Sequence, residues 1–322
     1  MVEIGYHASH EQFPPSRLAA AAVAAEAAGF DAVLSSDHFA PWSTDQDESG
    51  YAWTWLGAAM ARTRLPFGVV TAPGDRYHPA ITAQAIATVE ELFPGRFTPA
   101  LGSGQALNEH VTGTVWPRKP ERNARLHACA DVIRRLLDGE TVDRDEPVKV
   151  RAARLYTRPE APPPLFAAAL SPGTAREVAA WADGLITVNA PEDRLRAIID
   201  AFREGGGEHK PLHLQVHLSW DASEEAARAQ ALRQWRFVAL PPSLNQELEL
   251  PEQFDAACAH VPVDALEPGV HIGADLDLHA AVIAGYAELG FSRLYLHQVG
   301  VDQERFIDVF GEKVLPQLRT GG

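Results

Sequence analysis

The sequence contains few lysines and an excess of acidic side chains. Only four of its 322 residues are lysines, and 43 Asp and Glu outnumber 28 Lys and Arg, which gives a formal net charge of -15. Proteins that bind nucleic acid neutralise its phosphates with clustered Lys and Arg. The composition therefore argues against nucleic acid as a partner.

Cysteines and long apolar runs are also scarce. Cys129 and Cys258 lie in alanine-containing stretches typical of helices, so we expect buried, reduced thiols and no disulfide scaffold. No run of about 18 apolar residues occurs, as a membrane span would require. The first residues lack the basic start and apolar core of a signal peptide. These features predict a cytoplasmic protein without a membrane partner.

Short apolar runs alternate with helix-length amphipathic segments along the whole chain. Eight runs predict β-strands, namely Glu3–Tyr6, Ala32–Ser35, Phe67–Thr71, Phe97–Leu101, Leu165–Ala168, Leu185–Val188, Leu212–Leu218 and Arg293–Leu296. The predicted helices are Pro14–Ala28, Tyr51–Arg62, Pro79–Leu92, Arg122–Leu137, Gly173–Ala182, Pro191–Arg203, Ser223–Arg236, Leu276–Leu289 and Gln303–Leu318. This alternation predicts an α/β fold, a (β/α)8 TIM barrel with insertions, as a single domain over residues 1–322.

Three segments depart from the regular alternation. Glu140–Thr157 reads as a β excursion outside the barrel, and residues 239–275 read as an irregular insertion. Pro99 interrupts the fourth predicted strand. Because proline lacks the N–H that a buried strand donates, we expect a local irregularity there.

Candidate catalytic residues follow the second predicted strand. In a TIM barrel the active site lies at the C-terminal ends of the strands, and Asp37, His38 and Trp42 occupy this position. Histidine exchanges a proton near neutral pH, an adjacent carboxylate can orient it, and tryptophan offers a flat apolar wall. The alternative interpretation is a capped loop with a packed aromatic ring.

Glycines and small polar residues follow three further strands. These segments are Gly102–Asn108 after strand four, Ser171–Pro172 after strand five and Thr187 in strand six. Glycine lets a backbone approach a ligand closely, and a Ser-Pro helix start can bind phosphate or simply cap the helix. The third glycine of the dinucleotide-binding fingerprint is absent, so an ordinary turn remains an alternative.

Several histidines lie close enough in the sequence to suggest metal ligands. His213 and His217 alternate with Gln215 on one face of strand seven, and His7 and His10 follow strand one. None of these spacings matches an H-E-x-x-H or a cysteine-based zinc motif, so we expect no metal. His297 and Gln298, after strand eight, are expected to line the pocket.

Several motifs occur in order along the chain. They are His7–Phe13, Ser36–Phe39 with Trp42, Arg76–Pro79, Pro94–Phe97, Leu101–Gly104 and Ala106–Glu109. Together they resemble the luciferase-like family of flavin and deazaflavin (coenzyme F420) oxidoreductases over nearly the whole chain. The branch that they resemble most is that of the F420-dependent glucose-6-phosphate dehydrogenases.

The resemblance implies a barrel that holds the cofactor ring at the C-terminal ends of the strands. It implies that His38 takes the proton of a substrate hydroxyl, with Trp42 and Gln105 beside it, and that the protein is a homodimer. The cofactor-contacting positions that it implies are Asp37, Val69, Val70, Gly102, Ser103, Gly104, Asn108, Ser171, Pro172 and Thr187. It also implies a non-prolyl cis peptide bond between Val69 and Val70.

The sequence departs from this branch at the substrate end of the site. Gln105 replaces a glutamate that is proposed as an acid, and an amide cannot exchange a proton. The positions of the branch's phosphate-binding cations correspond to Ala190, to Asp255 or Ala256, and to Gly269, none of which is basic. Without these charge-assisted contacts we expect a substrate that is not phosphorylated.

The segment His7–Phe13 resembles a sub-branch thought to have reverted from F420 to an ordinary flavin. We therefore expect a flavin-dependent oxidoreductase that uses FMN to transfer hydride to or from a small organic substrate, with oxygen as an open co-substrate. One alternative is an F420-dependent dehydrogenase or reductase acting on a non-phosphorylated substrate. Another is a non-catalytic flavin-binding protein.

Overall fold

A closed barrel of parallel strands forms the centre of the computed structural model, which describes residues 2–320. The strands are β1 (Glu3–Ala8), β2 (Ala32–Ser35), β3 (Phe67–Thr71), β4 (Phe97–Leu101), β5 (Val142–Arg144), β6 (Val150–Ala153), β7 (Phe166–Ala168), β8 (Gly184–Val188), β9 (Leu212–Trp220), β10 (His271–Gly273) and β11 (Arg293–Gln298). Eight of them pair in the order β9-β11-β1-β2-β3-β4-β7-β8, and β8 pairs with β9 to close the barrel. The predicted TIM barrel is confirmed.

Helices surround the barrel in the order that the sequence predicts. They are α1 (Pro15–Ala28), α2 (Ala52–Met60), α3 (Pro79–Leu92), α4 (Ala106–Glu109), α5 (Lys119–Leu137), α6 (Pro172–Val178), α7 (Glu192–Phe202), α8 (Glu224–Trp235), α9 (Pro242–Asn245), α10 (Pro251–Ala257), α11 (Leu276–Glu288), α12 (Gln303–Val309) and α13 (Leu315–Thr320). Proline begins α1, and Gly29 ends it in the left-handed conformation at φ 92°. None of the helices in residues 2–320 is long and apolar enough to cross a membrane.

Aromatic side chains close the lower part of the barrel interior. Glycines make room for them: a Cβ on Gly5 would lie 2.5 Å from Cδ1 of Tyr295, and one on Gly184 would lie 2.3 Å from Cζ of Phe166. Both rings are buried. The interior is therefore filled beneath the C-terminal ends of the strands, and these ends form the mouth of the barrel.

The two segments outside the regular alternation have defined structures. Strands β5 and β6 pair antiparallel, which confirms the β excursion predicted for Glu140–Thr157. Residues 239–275 contain α9, α10 and β10, and β10 adds to the sheet beside β9. The predicted insertion is thus a set of short elements. The predicted helix Gln303–Leu318 contains a wider turn at Phe310–Val314, where Gly311 packs closely against Ala28.

Two expectations for strands β3 and β4 are wrong. The cis peptide bond found within residues 2–320 is Glu146–Pro147, so the predicted cis bond between Val69 and Val70 is absent. Strands β3 and β4 pair in unbroken parallel register from Phe67 to Thr71, which shows that Pro99 causes no register shift between them. The adjacent strand β7 pairs with β4 only from Ala100 onward, which limits the effect of the missing N–H. As expected, Cys129 and Cys258 are buried free thiols.

Candidate active site

His38 and Glu11 form a buried acid–base pair at the mouth of the barrel. Nε2 of His38 lies 3.3 Å from Oε1 of Glu11, and their side chains are 14% and 4% exposed. Nδ1 of His38 lies 3.4 Å from the carbonyl oxygen of Ala40. The carboxylate of Glu11 and the carbonyl of Ala40 only accept hydrogen bonds, so both ring nitrogens of His38 face acceptors. A neutral ring carries a proton on one of these nitrogens and a lone pair on the other.

Glu11 is held in its ionised form by its neighbours. Burial raises the pKa of its carboxyl, but His38 and the hydrogen bond from Ser36 outweigh that effect, so the pKa is lowered overall. Its Oε2 accepts hydrogen bonds from the hydroxyls of Ser36 (2.6 Å) and Ser9 (3.0 Å). Sequence reasoning missed this residue, although it lies within the His7–Phe13 motif, because the pairing spans two different loops.

Asp37 does not serve as the carboxylate that orients His38. Its Oδ2 accepts from the Thr71 hydroxyl at 2.7 Å, its Oδ1 accepts from the Tyr77 hydroxyl at 2.9 Å, and Arg76 lies 3.5 Å away. The side chain is buried. Asp37 therefore anchors the loop after β2 to the end of β3, and Glu11 takes the orienting role.

Aromatic rings form an apolar wall beside His38. The ring of Trp42 lies 5.0 Å from that of His38 and stacks on Phe237 at 4.6 Å with an interplanar angle of 13°. Phe254 meets Trp42 edge-on at 5.5 Å. The predicted flat wall is present at this position, and residues after α8 supply two of its three rings, Phe237 and Phe254.

Polar contacts fasten the insertion to the loop after β2. Asp255 accepts hydrogen bonds from the backbone N–H of Thr44 at 3.1 Å and from its hydroxyl at 2.6 Å. Arg236 binds Asp255 at 2.5 Å and lies 3.5 Å from Asp45. The charge of Arg236 is thus neutralised by two carboxylates, and the insertion covers one side of the mouth.

The glycine-containing loop after β4 lies against the loop that carries His38. Gly104 has φ 81°, which glycine adopts without strain. Asn108 Oδ1 accepts from the N–H of Phe39 at 2.8 Å, and Asn108 Nδ2 lies 3.4 Å from Oε1 of Gln105. Ser103 accepts a hydrogen bond from Lys119 Nζ at 2.8 Å. The structure thus brings the loops carrying His38, Gln105 and Asn108 together at the mouth.

Three side chains that were predicted to contact the cofactor lie on the outer face of the barrel or already form a hydrogen bond. Val69 packs in the layer between barrel and helices, whereas Val70 belongs to the cluster inside the barrel. Thr187 alternates with Ile186, an interior residue, so its side chain lies on the outer face of β8. The hydroxyl of Ser171 caps α6 by accepting a hydrogen bond from the backbone N–H of Thr174, and the neighbouring Pro172 is exposed. Val69 and Thr187 could therefore contact a ligand at the mouth only through their backbone.

Neutral histidines occupy the opposite half of the barrel mouth. The rings of His7 and His217 lie 4.3 Å and 5.3 Å from that of His297, and all three are buried. Burial lowers the pKa of His7 to about 4 and that of His217 to about 3, and it lowers the pKa of His297 strongly. Among the residues that the structure describes, no group of three or more His, Cys, Asp or Glu could hold a metal ion.

A chain of hydrogen bonds fixes the tautomers of these histidines. Gln12 Nε2 donates to the carbonyl of Val299 at 2.8 Å, and its Oε1 lies 3.0 Å from Nε2 of His297. His297 therefore carries its proton on Nε2 and accepts at Nδ1 from Gln215, 3.1 Å away. The same amide nitrogen lies 3.1 Å from Nε2 of His217, which consequently keeps its proton on Nδ1.

Comparisons with known proteins show the family of this chain. The family model described as luciferase-like monooxygenase matches residues 1–293. The chain belongs to the luciferase-like monooxygenase family. It is 37% identical to the F420-dependent glucose-6-phosphate dehydrogenase of Nakamurella multipartita, over 99% of this chain and 97% of the relative. It is 35% identical to the protein of that name from Mycolicibacterium fortuitum, over 100% and 99% of the two chains.

Solved structures share the same barrel. An F420-dependent secondary alcohol dehydrogenase in complex with an F420–acetone adduct superposes with a TM-score of 0.91 at 29% identity, with 99% of both chains covered. The F420-dependent tetrahydromethanopterin reductase of Methanopyrus kandleri gives 0.79 at 20% identity, over 98% of this chain and 99% of that one, and shows the fold alone. The chain is an oxidoreductase, as the sequence predicts.

Small side chains line the mouth of this luciferase-like barrel opposite the histidines. Val70, Ala168 and Val188 are partly exposed on the interior faces of β3, β7 and β8, and the partly exposed Gly102 follows β4. The loop that contains Gln105 and Asn108 continues from this side to the loop that carries His38, where Asn108 accepts from the N–H of Phe39. These side chains form an apolar floor on the β3–β8 side, with polar groups at its edge.

Proposed function

We propose that this protein is an F420-dependent dehydrogenase or reductase that interconverts a small, non-phosphorylated alcohol and its carbonyl compound. The observation that carries the proposal is the buried His38–Glu11 pair beside an apolar wall at the barrel mouth. Relatives that cover the whole chain are named for F420. The sequence favoured FMN, whereas these relatives are named for F420 instead.

The residues at the mouth fit a deazaflavin. Val70, Ala168 and Val188 offer a floor of small apolar side chains, on which a planar ring can lie. The loop from Gly102 to Gly104 brings backbone close to the edge of that floor. Lys119, which contacts Ser103, supplies a positive charge at the same edge. The role of each individual site residue, and each contact with the cofactor, stays a prediction.

This chain's own residues account for the proton that accompanies hydride transfer. Bound F420 supplies a ring carbon that accepts or releases hydride. The ring of His38 takes the proton of the substrate hydroxyl during oxidation, and Glu11 stabilises the charged ring. Trp42 and Phe237 exclude water from one side of the reacting group. Gln105 can orient an oxygen by hydrogen bonding but cannot supply a proton.

Two arginines near the mouth are already neutralised, which favours an uncharged substrate beside them. Arg236 is bound by Asp255 and Asp45. The guanidinium of Arg76 lies 3.5 Å from the carboxylate of Asp37 and 3.7 Å from that of Glu109. A phosphorylated substrate would need a free cation to replace its water shell. The wall of Trp42 and its neighbours instead suits an alkyl group.

Equilibrium binding and turnover together test the proposal. Fluorescence titration should give a micromolar or tighter Kd for F420 and much weaker binding of FMN. With F420 bound, a secondary alcohol should bleach the absorbance of the oxidised deazaflavin, and glucose 6-phosphate should not. His38→Gln should bind F420 normally and lose turnover. Tight binding of FMN without F420 would overturn the cofactor assignment, and turnover of the sugar phosphate would overturn the substrate class.

Three broader expectations accompany this function. We propose that residues 1–322 form a single luciferase-like domain, as the continuous barrel suggests. A homodimer stays a prediction, and so does a role for oxygen. Sedimentation analysis and oxygen-consumption measurements would test the last two.

A further inference from the structure

Lys119 is a half-buried cation without an acidic partner. Among the residues that the structure describes, no carboxylate forms a salt bridge with its ammonium group, and Nζ donates a hydrogen bond to the Ser103 hydroxyl at 2.8 Å. The neighbouring cations differ in this respect, because Arg118 pairs with Glu121 and Arg122 pairs with Glu247. None of the four lysines forms a salt bridge in the described residues, and the ammonium group of Lys119 contacts a loop at the mouth of the barrel.

The surroundings of Lys119 disfavour its charge as the protein stands. Burial lowers the pKa of its ammonium group, the positive charge of Arg122 lowers it further, and Glu177 offsets these effects only in part. Keeping a partly buried charge without a counter-charge costs free energy. Perturbed, uncompensated groups of this kind cluster at binding sites, where a ligand supplies the missing charge.

Lys119 lies where three elements of the mouth meet. It is the first residue of α5, and Ser103 belongs to the loop after β4. One helical turn further on, Asn123 donates to Glu177 at 2.8 Å, which joins α5 to α6. At the start of α6, a Cβ built on Gly173 meets no atom within 4 Å, so this side of the junction is open. Through its contact with Ser103, the ammonium group lies at the loop that borders the proposed cofactor floor.

We propose that Lys119 and Ser103 bind the anionic arm of the deazaflavin cofactor. This inference rests on the proposed function. The arm carries a phosphodiester and glutamate carboxylates, and both are oxygen anions that an ammonium group binds. Lys119 uses one of its three N–H groups on Ser103 and keeps two for the ligand. The Ser103 hydroxyl accepts from Lys119, so its own hydrogen remains available to an anionic oxygen.

Binding measurements with cofactor fragments test this assignment. Wild type, Lys119→Met and Lys119→Arg would be titrated by fluorescence with F420 and with its chromophore that lacks the phosphodiester and glutamates. Lys119→Met should weaken F420 binding about tenfold and leave the chromophore within about twofold. It should also reduce the salt dependence of F420 binding, whereas Lys119→Arg should retain most of the affinity. Lys313→Met, an exposed lysine in the closing helical segment, is the matched control.

The outcomes distinguish the arm site from its alternatives. An equal loss for F420 and for the chromophore would overturn the proposal, because Lys119 would then act on the ring site or the fold. An unchanged F420 affinity would overturn it as well. F420 without glutamates separates the two anions: retained sensitivity assigns Lys119 to the phosphodiester, and lost sensitivity assigns it to the glutamates. If wild type bound neither ligand, the proposed function itself would fail.

Discussion

Replacing Glu11 by glutamine tests whether this carboxylate stabilises the proton on His38 during catalysis. The two side chains lie 3.3 Å apart and are largely buried. At an effective dielectric constant of about 20, two unit charges at that distance attract by about 5 kcal/mol. Desolvation offsets part of this attraction, so we take about 2–3 kcal/mol as the loss when the charge is removed. That corresponds to a fall in kcat of about 30- to 150-fold.

The assay is single-turnover bleaching of bound F420 by saturating alcohol between about pH 5 and 9, with the Kd for F420 measured in parallel. Glu11→Gln should lower the rate throughout this range and leave the Kd unchanged. Glu90→Gln is the matched control, because Glu90 is also buried and its carboxylate binds the N–H of Gly95 at 2.6 Å, away from the mouth. A Glu11→Gln rate within twofold of wild type would refute the orienting role.

Three further predictions concern stability and the covered side of the mouth. Gly5→Ala should lower the free energy of unfolding in urea by about 1–3 kcal/mol, because the new Cβ would lie 2.5 Å from a Tyr295 ring carbon, whereas Gly57→Ala, with no atom within 4 Å, should cause no loss. Burial lowers the pKa of His213 to about 3, so between that pH and about pH 6.5 only the unfolded chain binds a proton at this residue. The free energy of unfolding is therefore highest above about pH 6.5 and falls as the pH is lowered. His213→Asn should reduce the slope of this fall by one proton, as measured by urea unfolding at pH 4–7. Asp255→Asn removes one of the two carboxylates that neutralise Arg236. Inorganic phosphate should therefore inhibit alcohol turnover by this variant and not by wild type. Equal inhibition of both proteins by phosphate would contradict this prediction.

Local signals predicted the barrel well. The strands Ala32–Ser35, Phe67–Thr71 and Phe97–Leu101 have the predicted bounds, because short apolar runs lie between glycine, proline and polar residues. Longer elements were less well bounded. The strand predicted as Leu212–Leu218 continues to Trp220, where pairing with β10 extends it, and this pairing depends on residues about 50 positions away.

The chemistry of the site could be predicted only in part. His38 and Trp42 follow a strand, and this position alone marks them as candidates. The role of Glu11 depends on a contact between two loops, and the choice between Asp37 and Glu11 needed the positions of Tyr77 and Thr71. Sequence spacing contains no information about such contacts. The resemblance carried over a cis peptide bond that this chain does not have.

The filled lower interior constrains the order of events at the site. Tyr295 and Phe166 occupy the spaces left by Gly5 and Gly184, so ligands cannot pass through the barrel. Cofactor, substrate and product must therefore share one entrance, and a molecule seated deeper has to arrive before the one above it and leave after it. Kinetics of this enzyme should accordingly be sequential and ordered, with the trapped partner unable to exchange while the upper position is filled.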